Sequence, residues 1–131
     1  MRLVLIRHAE AAEGSPDELR TLSAEGREQA RALGERLRAD GIEADALLSS
    51  PLLRARETAA ALGLGEPEPD DRLAPGATAE SVREAVAGRG ETVAVVGHQP
   101  DCGRAAAALS GGGPEPSFPP CGYALLELGS A

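Results

Sequence analysis

Four residues of this chain combine side chains and positions suited to chemistry on an anion: Arg7, His8, Arg54 and His98. Arg7 and His8 come at the end of the first apolar run, RLVLI, and His98 follows a later run, TVAVVG. Guanidinium groups bind anionic oxygens through paired N–H donors, and an imidazole can act as a base or a nucleophile near neutral pH. Two guanidiniums and two imidazoles around one point would suit a compact dianion, and phosphate fits best.

The elements that must position these residues alternate between strand and helix. Apolar and β-branched runs predict strands at 2–7, 46–49 and 92–96, a weak edge strand around 72–73 and a closing strand at 123–128. Ser23 is a predicted N-cap for a helix to about residue 39, and Ser50-Pro51 predicts the start of a second helix that ends at Gly63. Further helices are expected at 78–87, ending at Gly88, and at 100–109. This alternation predicts an α/β fold, a three-layer sandwich whose mostly parallel central sheet carries helices on both faces.

This topology brings the four residues to one edge of the sheet. Ligands of open α/β sheets bind at the carboxyl ends of the strands, where His8 and His98 are expected. Arg54 falls in the first turn of the predicted Ser50-Pro51 helix, although an ion pair with Glu57 one turn along is an alternative. Helix amino termini add unpaired amides and partial positive charge. We therefore predict one anion-binding site at this edge.

Composition limits the classes of protein and partner. The chain has 131 residues, of which 42% are hydrophobic, and this suits a single domain over residues 1–131. Its net charge of −8 argues against sequence-independent binding of nucleic acid, which needs a basic face. All 13 basic residues are Arg, a compositional bias, so functional arginines must be identified by position.

No segment predicts a membrane span or a metal site. No apolar run approaches the roughly 20 residues that a span needs, and RLVLI is too short for a signal sequence, so we expect a cytoplasmic protein without membrane association. Cys102 and Cys121 lack metal-ligand spacing and are expected to be small buried or half-buried thiols. A disulfide between them is disfavoured in the cytosol.

Three motifs together resemble one family. RHAE, SSPLLRARETA and VGHQP are similar, in this order, to the motifs of the histidine phosphatase superfamily, the phosphoglycerate-mutase-like branch. The short length and the segment LSAEGREQA look most like the SixA-type phosphohistidine phosphatases within it. The resemblance covers essentially the whole chain.

The resemblance implies a role for each matching residue. His8 would be the nucleophile that becomes a phosphohistidine, and Arg7 and Arg54 would clamp the non-bridging oxygens. His98 would donate to another oxygen as an imidazolium. No metal or cofactor is needed, because Arg and His supply the positive charge. Arg20 is a candidate substrate contact, with a solvated surface position as the alternative.

The general acid is the point of departure from the family. Asp71 and Glu80, with Asp70 beside them, are the candidates, and solvated surface carboxylates are the alternative reading. An alkoxide leaving group needs a positioned acid, which typically raises the rate about 10²–10⁴-fold. Imidazole accepts a proton near neutrality and can leave without such an acid. The expected substrate is therefore phosphohistidine in a protein such as a phosphotransfer-type domain. A small phosphomonoester, or a non-catalytic phosphate-binding module, remains the alternative.

Overall fold

A five-stranded sheet with strand order β3-β2-β4-β1-β5 forms the centre of the molecule in the computed structural model, which describes residues 1–129. The strands are β1 (Arg2–Arg7), β2 (Ala46–Ser49), β3 (Pro67–Pro69), β4 (Thr92–Gly97) and β5 (Tyr123–Glu127). The helices are α1 (Ala24–Ala39), α2 (Leu53–Leu62), α3 (Ala79–Val86) and α4 (Asp101–Leu109). The first four strands run parallel to one another, through the pairs β3–β2, β2–β4 and β4–β1, and β5 runs antiparallel to β1. This architecture confirms the predicted α/β class and the mostly parallel sheet.

The strands are apolar on both faces because helices cover both. Side chains alternate across a strand, so Leu3 and Leu5 of β1 face one layer while Val4 and Ile6 face the other. One core cluster joins the first face to α3 and α4, and the other joins the second face to α1 and α2. The three-layer sandwich follows from this double burial.

Local signals set the start of α1 and the end of α2. The Ser23 side chain accepts a hydrogen bond from the Gly26 amide at 3.0 Å and caps α1 as predicted. Gly63 adopts a left-handed conformation and ends α2, also as predicted. Within residues 1–129, no helix combines the length and the apolar character that crossing a membrane requires.

The predicted start of α2 is wrong by two residues. The helix begins at Leu53, and its N-cap position is Leu52, which makes no side-chain cap. Ser50 lies before the helix, where its hydroxyl accepts from the Leu52 amide at 3.2 Å and contacts His98. The hydroxyl is thus used in a turn that leads into the helix. Arg54 still falls in the first turn.

The edge strand also differs from the prediction. Residues 72–73 lie in a short 3-10 helix, Asp71–Leu73, and the edge strand is β3, a few residues earlier at Pro67–Pro69. Proline is tolerated on an edge strand where its position needs no N–H donor, and Pro67 and Pro69 alternate with residues that can donate. The Asp70 amide continues this pattern by donating to the Ser49 carbonyl at 2.8 Å. The other predicted boundaries agree to within one residue.

Candidate active site

His8 and His98 lie side by side because they follow neighbouring parallel strands. β1 and β4 pair with Arg7 opposite Gly97, and the His8 amide extends the ladder by donating to the Gly97 carbonyl at 2.9 Å. The two imidazole centroids are 5.2 Å apart, with an angle of 61° between the ring planes. The predicted convergence of the two strand exits is therefore present in the fold.

One ring nitrogen of His8 is hydrogen-bonded to the protein backbone. Its Nδ1 lies 2.7 Å from the carbonyl oxygen of Ala9, and because a carbonyl only accepts, Nδ1 must carry a proton. In the neutral ring, Nε2 then keeps its lone pair, and it makes no hydrogen bond to any described residue. Burial lowers the pKa of His8, as do the nearby charges of Arg54 and Arg7, against the opposing effect of the Ala9 hydrogen bond. The site thus favours a neutral imidazole with a free Nε2.

Arg7 enters the site from the end of β1 with a buried donor unused. Its Nη1 donates to the carbonyl of Phe118 at 2.9 Å, which fixes the guanidinium against the segment before β5. Its Nε is buried and has no hydrogen-bond partner among residues 1–129. A buried N–H without a partner is costly, so this donor is suited to an anionic oxygen.

Arg54 is held by Asp17, on the loop that follows β1. Only 8% of Arg54 is exposed; its Nη1 donates to the Asp17 carbonyl at 2.9 Å and its Nη2 to the Asp17 carboxylate at 3.2 Å. The same carboxylate accepts from Nη1 of Arg20 at 3.2 Å. Glu57, the partner considered from the sequence, instead accepts from the Thr21 hydroxyl at 2.6 Å. Arg54 therefore keeps further N–H donors beyond the two bound by Asp17.

His98 is buried, with 5% of its surface exposed, and its Nε2 lies 2.7 Å from the Ser50 hydroxyl. Burial, followed by the influence of His8 and of the Arg54 charge, lowers the pKa of His98 to about 4. Burial and the nearby positive charge therefore favour a neutral ring near pH 7 in the protein without a bound anion, which differs from the imidazolium expected from the sequence. A bound dianion would raise this pKa, because it stabilises the protonated form.

The carboxylates expected as general acids make no hydrogen bond to the four site residues. Asp70 is paired with Arg72 at 2.7 Å, and the hydrogen bonds from Arg72 hold the pKa of this carboxyl below its usual value. Asp71 and Glu80 are exposed. Of the carboxylates in residues 1–129, Asp17 alone is bonded to a site residue, and its pKa is lowered, first by the hydrogen bond from Arg20.

Sequence reasoning missed two polar residues that the fold brings to the site, Asp17 and Ser50. Asp17 stands in the polar segment GSPDEL, and nothing in this segment distinguishes it from the acidic residues around it. Ser50 was interpreted only as a helix cap. Its place at the end of β2, the strand beside β4, was the signal that could have directed attention to the site. Arg20 reaches the site through Asp17.

The remaining titratable side chains of interest are the two cysteines. Both are free thiols, Cys102 buried and Cys121 half-buried. Burial, the largest cause for each, raises the pKa of Cys102 to about 12 and that of Cys121 to about 11, so both are protonated near neutral pH. Across residues 1–129, no cluster of three or more His, Cys, Asp or Glu side chains is arranged to hold a metal ion.

Comparison with known proteins identifies the class. Residues 3–77 match the model of the histidine phosphatase superfamily, branch 1, and the chain belongs to this superfamily of hydrolases. An uncharacterized protein of Picosynechococcus sp. is 34% identical over 123 residues, which cover 86% of this chain and 74% of that protein.

Solved structures define the type more narrowly. The protein histidine phosphatase SixA, in complex with tungstate, superposes with a TM-score of 0.86 at 25% identity, over 95% of this chain and 86% of that one. A protein of Agrobacterium tumefaciens assigned as the phosphohistidine phosphatase SixA gives a TM-score of 0.80 at 27% identity, over 95% of this chain and 89% of that one. The chain is thus of the SixA type, as its motifs indicated.

Proposed function

We propose that this protein is a phosphohistidine phosphatase that forms a covalent intermediate on His8 and acts on phosphohistidine in a protein. The observation that carries the proposal is the His8 ring itself. Its Nδ1 is bound to the Ala9 carbonyl, so the lone pair of the neutral ring is on Nε2, in the neighbourhood of Arg7 and Arg54. A neutral imidazole in a cationic pocket combines a nucleophile with anion binding.

The first step transfers the phosphoryl group to His8. The Nε2 lone pair attacks phosphorus in line, the P–N bond to the substrate breaks, and its electron pair goes to the leaving nitrogen. Charge spreads over the three non-bridging oxygens in the transition state. The free donors of Arg7, including its unpartnered Nε, and those of Arg54 bind these oxygens, and His98 donates one further hydrogen bond.

The second step returns His8 to its starting form. Water attacks the phosphorus of phosphohistidine, the P–N bond breaks, and its electron pair returns to Nε2. The water's protons remain with the phosphate or pass to solvent. The Ala9 carbonyl holds Nδ1–H throughout, so the ring keeps one orientation during both steps.

The carboxylates around the site favour phosphohistidine over a phosphomonoester. Asp17, the carboxylate bonded to Arg54, is ionised near pH 7, and the hydrogen bond from Arg20 and the charge of Arg54 lower its pKa further. It therefore holds no proton for an alkoxide leaving group, which needs one. An imidazole leaving group accepts a proton from solvent near neutrality. The SixA structures that this chain resembles agree with a substrate of this kind.

Two further proposals rest on the sequence argument alone. We propose that residues 1–131 form one histidine-phosphatase-like domain, and that the protein is cytoplasmic. The protein partner would be a phosphotransfer-type domain that carries the phosphohistidine.

The test compares phosphate release from a phosphohistidine-bearing phosphotransfer protein with release from a panel of sugar and nucleotide monophosphates. We expect a much higher kcat/KM on the phosphoprotein and loss of this activity in His8→Ala. A preference for one monophosphate would contradict the proposed substrate. Binding of phosphate without turnover of any compound would favour a binding module.

A further inference from the structure

Each of the two site histidines has one ring nitrogen committed to the protein, and the committed nitrogens differ. His8 is bound through Nδ1, to the Ala9 carbonyl. His98 is bound through Nε2, to the Ser50 hydroxyl at 2.7 Å. Nδ1 of His98 makes no hydrogen bond to any residue in 1–129, so it is the nitrogen left to contact an oxygen of the substrate.

The Ser50 hydroxyl is itself fixed from the other side. Its Oγ accepts from the Leu52 amide at 3.2 Å, in the turn between β2 and α2. Ser50 is fully buried, so no solvent competes for this oxygen. With one lone pair used by the amide, the hydroxyl proton is free to point at His98.

We propose that Ser50 is a positioning residue that donates its hydroxyl proton to Nε2 of His98 and thereby holds Nδ1 protonated toward the phosphoryl group. The inference rests on the proposed function for its catalytic consequence. The hydrogen bonds run in one direction, from the Leu52 amide to the Ser50 hydroxyl, to His98 and then to the phosphoryl oxygen. The hydrogen bonds in such a chain polarise one another, and each bond becomes stronger.

Because the His98 ring is neutral, the position of its single proton decides whether it can donate to the phosphoryl group, and the Ser50 hydroxyl influences that position. A neutral ring carries a single N–H, and burial favours the neutral ring here. If that N–H were on Nε2, Nδ1 would present a lone pair to the anionic oxygens and repel them. The Ser50 proton favours the useful tautomer, because Nε2 of His98 is the one acceptor that residues 1–129 offer it, and the Leu52 amide can only donate. When a bound dianion favours a protonated ring, the hydroxyl can rotate and accept from Nε2–H, so Ser50 stays bonded in both states.

The direct test is the nitrogen spectrum of the imidazoles in the full chain at pH 7, without an affinity tag. The chain has only 2 histidines, so His8→Gln leaves His98 as the single ring to be observed. We expect His98 with a proton on Nδ1 and a bare Nε2. Adding Ser50→Ala should shift the ring toward the Nε2–H tautomer. A proton on Nε2 of His98 in His8→Gln, or no change of tautomer when Ser50→Ala is added, would overturn the proposal.

Kinetics give the second readout, in the otherwise unmodified chain. Ser50→Ala should lower kcat on the phosphohistidine protein by about tenfold with a smaller change in KM, and Ser50→Thr, which keeps a hydroxyl, should restore part of it. Ser49→Ala is the matched control, because Ser49 is equally buried but donates to the Ser50 carbonyl at 3.0 Å and makes no hydrogen bond to His98. Equal losses in both alanine variants would contradict the positioning role.

The two proposals fail in different ways. If the unmodified protein releases no phosphate from phosphohistidine, the proposed function fails, while the tautomer of His98 and its dependence on Ser50 are still measured in the His8→Gln protein. If the unmodified protein is active but the His98 tautomer in the His8→Gln protein does not depend on Ser50, the proposed function stands and the positioning role is rejected.

Discussion

Asp17 is the residue whose single carboxylate connects two of the site's arginines. It accepts from Arg54 at 3.2 Å and from Arg20 at 3.2 Å, and its carbonyl accepts a further bond from Arg54. A guanidinium that is oriented in advance presents its remaining donors in a fixed geometry. The carboxylate also adds negative charge near an anion site, an effect of opposite sign. We expect orientation to outweigh repulsion, since Arg54 is almost fully buried.

Replacing Asp17 tests which effect dominates. Asp17→Ala should reduce kcat/KM on the phosphohistidine protein by about tenfold, because Arg54 loses one anchor and Arg20 loses its only carboxylate partner in the described chain. Glu18→Ala, at the next position in the chain, is the matched control and should leave kcat/KM unchanged. Steady-state kinetics measure both variants. Tighter phosphate binding with undiminished kcat in Asp17→Ala would mean that repulsion dominates.

At the scale of elements, the close approach of α1 to its neighbours depends on two glycines. A Cβ on Gly34 would lie 2.0 Å from the carbonyl oxygen of Leu62, the last residue of α2. A Cβ on Gly26 would lie 2.0 Å from the carbonyl of Glu10, just beyond His8. Both contacts are to backbone, which cannot rotate away. The packing of α1 thus limits the position of the α2 end and of the loop beyond His8.

Gly34→Ala separates helix propensity from packing. Propensity alone predicts a gain of about 1 kcal/mol for Ala over Gly inside a helix. The clash with the Leu62 carbonyl predicts the opposite, a loss in the free energy of unfolding of about 2 kcal/mol. Urea unfolding followed by circular dichroism measures the difference. Gly14→Ala, where the nearest atom would be 3.8 Å away, is the control and should change little. An increase in the free energy of unfolding in Gly34→Ala would show that α1 and α2 move apart at little cost.

Much of this element structure could be predicted from the sequence, for identifiable reasons. The strand at Arg2–Arg7 and the Ser23 cap depend on local periodicity and on hydrogen bonds within a few residues. β3 was missed because its prolines are acceptable only at a sheet edge, a fact of tertiary structure.

In the site, too, some features follow from local sequence and others depend on tertiary structure. His8 and His98 could be placed from strand ends. Two other contacts involve residues far apart in sequence, and no local pattern encodes them: the Arg54–Asp17 pair, 37 residues apart, and the bond from Arg7 to the Phe118 carbonyl, 111 residues apart.

At the scale of the whole molecule, the buried histidines connect the site to stability. The pKa of His98 is lowered from 6.5 in the unfolded reference to about 4 in the fold, and the pKa of His8 is lowered as well. Between these values the unfolded chain binds a proton at His98 that the folded protein does not. The free energy of unfolding therefore falls as the pH falls through this window, and the contribution is fully present above it.

The pH dependence of unfolding checks this linkage. From pH 7 to pH 4, we expect His98 to account for a loss on the order of 2 kcal/mol in the free energy of unfolding. His98→Gln has no titrating ring at this position. The difference in the free energy of unfolding between the unmodified protein and this variant therefore separates the contribution of His98 from those of the carboxylates. Parallel curves for the two proteins would show that His98 titrates normally in the fold.

The measurement that tests the central claim most directly is the fate of labelled phosphate in a single turnover. The protein is mixed with a phosphohistidine protein carrying radioactive phosphorus, quenched in alkali to preserve P–N bonds, and digested, and the labelled peptides are identified. We predict label on the peptide that contains His8, its decay as phosphate appears, and no label or turnover in His8→Ala. Label on another residue, or undiminished turnover in His8→Ala, would contradict the account.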